Sequence, residues 1–98
     1  MLGRLIVFRL KPPQDPNVAS DLVKKLYGQA TSNHKGKYRY RRKGLLDEIP
    51  AHRLIRGVLI VKEGDEKAVV DLLDKYDAEV FVRKVVLTTD DKKALMVR

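Results

Sequence analysis

The sequence predicts an α+β domain built on a four-stranded antiparallel sheet. Three observations lead there. Short, continuous apolar runs of strand length recur along the chain, and two stripes of apolar residues at helical spacing separate them. A length of 98 residues with 44% hydrophobic and 35% charged side chains suits one folded domain with a single core.

The first strand is LGRLIVFRL, residues 2–10, where Leu5, Ile6, Val7 and Phe8 form an apolar run ended by Pro12 and Pro13. Such a run suits a central strand. Asp15 and Pro16 then read as an N-cap followed by proline at the first helical position. Val18, Ala19, Leu22, Val23, Leu26, Tyr27 and Ala30 continue at helical spacing, opposite Asp21, Lys24 and Lys25, which predicts a first helix to about Thr31.

Residues 36–43 alternate, with Lys37, Arg39, Arg41 and Lys43 on one side and Tyr38, Tyr40 and Arg42 on the other, the period of a strand. GLLDEIPAH, residues 44–52, reads as a loop carrying Leu45, Leu46 and Ile49. Residues 53–62, RLIRGVLIVK, read as the third strand. Gly64 or Asp65 then caps a second helix, with Val69, Leu72, Leu73 and Tyr76 at i, i+3, i+4 and i+7, and residues 79–88 form the last strand.

The order strand, helix, strand, strand, helix, strand predicts the ferredoxin-like βαββαβ split fold, with both helices on one face and the tyrosine–arginine strand at a sheet edge. Residues 1–88 are expected to make this domain and residues 89–98 a short tail, forming one capped turn or fraying.

LIVFRL (5–10) and RGVLIVKE (56–63) resemble the paired strand segments of the RNA-recognition motif. The resemblance implies the same element order. It does not imply that family's base-stacking site, because Val58 and Ile60 stand where the family places its aromatic residues.

Charge is distributed unevenly. The net charge is +8; residues 34–62 hold nine basic and two acidic side chains, whereas residues 63–98 hold seven and nine. Concentrated positive charge raises the local potential that attracts a polyanion and releases its counterions. Lysines and arginines on an edge strand also keep it from pairing with another chain, but one or two suffice for that. The candidate nucleic-acid-binding residues are therefore Lys35, Lys37, Tyr38, Arg39, Tyr40, Arg41, Arg42, Lys43, Arg53 and Arg56. Their cations would meet phosphates, while the tyrosines either stack on bases or pack beneath a helix.

There is no cysteine, which excludes thiolate catalysis and zinc–thiolate sites. No secretory leader is read in MLGRLIVFRLKPPQ, and no apolar run approaches the roughly 18 residues of a membrane helix. The expectation is a soluble cytoplasmic protein, and abundant charged residues without cysteine suit a thermophile.

His34, His52, Asp47 and Glu48 lack metal-ligand spacing, so the histidines read as solvated loop residues and no cofactor is expected. Asp90 and Asp91 read as solvated caps without catalytic use. The function expected is low-specificity DNA or RNA binding through phosphates, without catalysis. The alternatives are an interaction or regulatory module, and a metal-dependent nuclease using Asp47, Glu48 and His52. Apolar strands on a sheet with two helices on one face leave the other face bare around Ile6, Phe8, Val58, Ile60, Val82 and Val86. That predicts either a homodimer or coverage by residues 95–97.

Overall fold

The computed structural model describes residues 1–12, 15–33 and 38–97, with residues 30–33 and 38–41 described by backbone alone. The chain is α+β. β1 (Leu2–Leu10) leads to α1 (Pro16–Tyr27), then β2 (Gln29–Asn33), β3 (Tyr38–Arg42) and the single turn α2 (Leu45–Glu48). β4 (Ala51–Ile55), β5 (Val58–Lys62), α3 (Glu66–Lys75), β6 (Ala78–Val86) and α4 (Thr89–Ala94) follow. Four strands form one antiparallel sheet in the order β4-β5-β1-β6, and β2 pairs with β3 in a separate two-stranded ribbon.

α1 starts as the sequence predicts: Asp15 Oδ1 accepts from the Asn17 amide at 2.8 Å, and Pro16 opens the helix. It stops four residues earlier than its apolar stripe suggests. Gly28 adopts φ 85°, a left-handed conformation that glycine tolerates, and its amide donates to Lys24 O at 2.8 Å. The residues after it become β2 instead of a last helical turn.

That early stop relocates the tyrosine–arginine strand. It is not an edge of the main sheet, because β3 pairs with β2 (Gln29↔Arg42, Thr31↔Tyr40, Asn33↔Tyr38) and the edge position is held by β4. Nor is 53–62 one strand. Arg56 and Gly57 turn the chain between β4 and β5, with Gly57 O accepting from the Phe8 amide at 2.8 Å. The expected loop 44–52 contains α2, whose Leu46 is buried in the core beside half-buried Leu45 and Ile49.

One core lies between the sheet and α1, α2 and α3: Ile6, Leu59, Val61 and Ala78 from the strands meet Leu22, Leu26, Leu46, Val69 and Leu73 from the helices. Phe8, Val80 and Val82 pack against the same cluster, so Ile6, Phe8 and Val82 do not belong to a bare face. The opposite face is covered in part by α4. Leu95, fully buried, joins Ile60 and Leu87, with Leu5, Val85 and Val97 around them. Residues 95–97 thus fold over the face predicted to lie bare.

α4 forms because Thr88 and Asp91 make a reciprocal cap: the Asp91 amide donates to Thr88 Oγ1 at 3.1 Å, and the Thr88 amide to Asp91 Oδ2 at 2.9 Å. Among the described residues no helix is long and apolar enough to cross a membrane.

Candidate nucleic-acid interface

The β2–β3 ribbon joins the domain at a narrow neck. A Cβ at Gly44 would stand 2.2 Å from Gly28 N and 2.6 Å from Tyr27 C, so only a glycine lets the outgoing and returning chains lie this close. The neck is fixed on its far side by α2, where Asp47 Oδ2 accepts from the Gly44 amide at 2.7 Å.

Beside the neck, Lys24, Lys25, Arg42 and Lys43 line one cavity of about 250 Å³ together with Asp21 and Gln29. Lys25 and Lys43 also line an adjoining cavity of about 340 Å³ reaching to Lys75. Asp21 alone cannot neutralise four cations, and its Oδ2 accepts the Tyr76 hydroxyl at 2.5 Å, tying α1 to the end of α3. That bond raises the Tyr76 pKa above the usual phenol value.

The predicted residues divide into four groups. Lys35 and Lys37, like His34, lie outside the described residues. Tyr38, Arg39, Tyr40 and Arg41 occupy β3, opposite Asn33, Ser32, Thr31 and Ala30 in register. Arg42 and Lys43 are exposed at the neck. Arg53 and Arg56 are exposed on β4 and on the β4–β5 turn, with the Arg53 guanidinium 4.5 Å from the centroid of the Tyr27 ring. Burial raises the Tyr27 pKa, against the opposing pull of Arg53 and Arg56.

Lys24 and Lys25 escaped the sequence reading, which placed them on the solvated face of α1. Their bland role is real, since cations in a last helical turn suit the helix dipole. The signal that points to them is the glycine that follows, which ends the helix and delivers both lysines to the ribbon's base.

His52 is not a solvated loop histidine. It lies in β4 and donates from Nδ1 to Asp91 Oδ1 at 2.6 Å; among the described residues no group of three or more His, Asp or Glu side chains is placed to hold a metal ion. Asp91 caps α4 as expected but is 5% exposed, hence not solvated. Hydrogen bonding by the Thr88 amide holds its pKa below the ordinary value against the effect of burial, and His52 adds to the depression.

No protein-family model matches the chain, and neither a curated protein nor a solved structure matches it. The functional reading therefore rests on charge and geometry.

Proposed function

We propose that this chain is a small, non-enzymatic nucleic-acid-binding protein that grips phosphates with low sequence specificity. The observation that carries the reading is the convergence of Lys24, Lys25, Arg42 and Lys43 on one cavity at the base of a ribbon whose second strand reads YRYRR. A two-stranded ribbon has the width that the DNA major groove admits, and cations at its base are suited to the flanking phosphates. RNA and single strands offer the same phosphate chemistry.

A salt titration tests this. With about five phosphates neutralised, the logarithm of affinity falls against the logarithm of salt with a slope of about −4.5 on duplex DNA or about −3.5 on single strands. A slope near zero removes the proposal.

The larger sheet is read as the ferredoxin-like split arrangement, with the ribbon inserted after α1. Supporting this are the order β4-β5-β1-β6 and the antiparallel sense of every pairing. Cross-strand nuclear Overhauser contacts from Val7 to both Val58 and Phe81 test the order, and absence of either set discards it.

A second reading, self-association, is favoured by one observation. Beyond α4 the sheet still exposes Phe81 (48%), paired in register with Val7, and Leu54 (44%), at the irregularity in β4 between Arg53 and Ile55. A homodimer through this remnant would remain after the ribbon cations are removed, and a monomeric mass across the micromolar range would exclude it.

A further inference from the structure

α1 divides two cavities of opposite character. Asp21, Lys24 and Lys25 face the cationic cavity at the neck, whereas Ala19, Leu22, Val23 and Tyr27, half a helical turn around, face another of about 330 Å³. This second cavity is completed by Phe8, Arg9 and Leu10 of β1 and by Arg56 and Gly57 of the β4–β5 turn. Its lining is mainly apolar and its mouth is open.

Two features single it out. Its size reaches the range of small-molecule sites, and such sites combine an apolar lining with a few placed polar groups. Its cations are also unequally engaged. Arg9 Nε already holds Glu79 Oε2 at 2.7 Å, whereas no carboxylate among the described residues pairs with Arg56. Next to it the Arg53 guanidinium stacks on Tyr27. An apolar slot with an exposed guanidinium at its lip and a stacked guanidinium beside it complements a flat, weakly polar body that carries an anion.

We infer that this cavity takes the unpaired base of a single-stranded nucleic acid, with the adjoining phosphate on Arg56. The inference rests on the nucleic-acid reading above and adds to it a base-contacting site that the phosphate-gripping ribbon does not supply. The base face meets Phe8, Leu22 and Val23, and its hydrogen-bonding edge stays in water at the open mouth. Contact through the face without readout of the edge makes the site tolerant of base identity. The Arg53–Tyr27 stack lines the path of the neighbouring nucleotide, since guanidinium planes and aromatic rings both accept splayed bases.

The experiment compares a short oligothymidylate with an abasic strand of the same length and charge, using the full chain and fluorescence anisotropy. The expected result is tighter binding of the base-bearing strand by about 5-fold or more, with equal salt slopes for the two strands. Ala19→Leu, which fills the cavity from a half-exposed helical position, should abolish that preference and leave the slope unchanged. Arg56→Gln should weaken both strands and lower the slope by about 0.7. Equal affinity of the wild-type chain for the two strands overturns the base site while leaving phosphate binding intact. Failure to bind either strand overturns the nucleic-acid reading itself. A preference that survives Ala19→Leu, in a protein whose circular dichroism matches the wild type, places the base elsewhere and also overturns the inference.

Discussion

His52 Nδ1 lies 2.6 Å from Asp91 Oδ1, fastening the C-terminal helix to an edge strand 39 residues earlier in the chain. Asp91 is acceptor to this ring and to the Thr88 amide at once, so one carboxylate both starts α4 and anchors it.

Asp91→Ala removes the reciprocal cap and the bond to His52 together. The expected loss is about 2 to 4 kcal/mol, combining one cap with one charge-assisted hydrogen bond, as read from urea unfolding. A loss below about 0.5 kcal/mol would show that α4 is held by its apolar contacts alone.

The same carboxylate sets a pH dependence. Its pKa is lowered in the folded chain, so its stabilising contribution is present above the unfolded aspartate value of about 3.9 and is lost as pH falls through the folded value. The Leu95 methyl resonances should hold their positions down to about pH 4 and move below it. Asp91→Asn should remove that acid-side transition, and persistence of an identical transition in this variant would assign it to another group.

Leu95→Ala empties the centre of the smaller cluster. Leu95 is fully buried against Ile60 and Leu87, and truncation at such a site costs about 2 to 5 kcal/mol. Faster hydrogen exchange should spread through α4 and stop short of Leu26 and Leu73, which belong to the other core.

Changing Lys24, Lys25, Arg42 and Lys43 to serine tests the cation cluster. These side chains are exposed and their removal should leave the melting temperature within a few degrees, while the salt slope on duplex DNA shrinks by about 0.9 for each phosphate that is no longer neutralised. An unchanged slope would place the phosphate-binding cations elsewhere on the chain.

Gly44→Ala tests the neck. The added methyl meets backbone at 2.2 Å, which no rotamer relieves, and the expected cost is about 1 to 3 kcal/mol by overpacking. Unchanged stability in thermal unfolding would mean that the ribbon shifts freely on the domain.

Continuous apolar runs locate β1 and β6, and helical periodicity with cap residues locates α1 and α3, because each buries its apolar side chains in the main core. Both fail where a local glycine outweighs the pattern. Ala30 continues the α1 stripe, yet Gly28 has already ended the helix. The run 53–62 reads as one strand, although Gly57 at φ 82° reverses it. The cationic stretch is legible as charge but not as position, since its partner strand carries the last residues of a helical stripe. Asp91 reads as solvated because its environment depends on His52 and on Leu95 folding back, a relation with no local signature.

The Gly28–Gly44 contact gives the ribbon a closed footprint. Its two ends touch, so the fifteen positions from 29 to 43 impose almost no spacing on the domain that carries them. Chain closure at that point depends only weakly on what is inserted. The ribbon can therefore lengthen, shorten or be exchanged for another over evolutionary time while the sheet beneath it keeps its register.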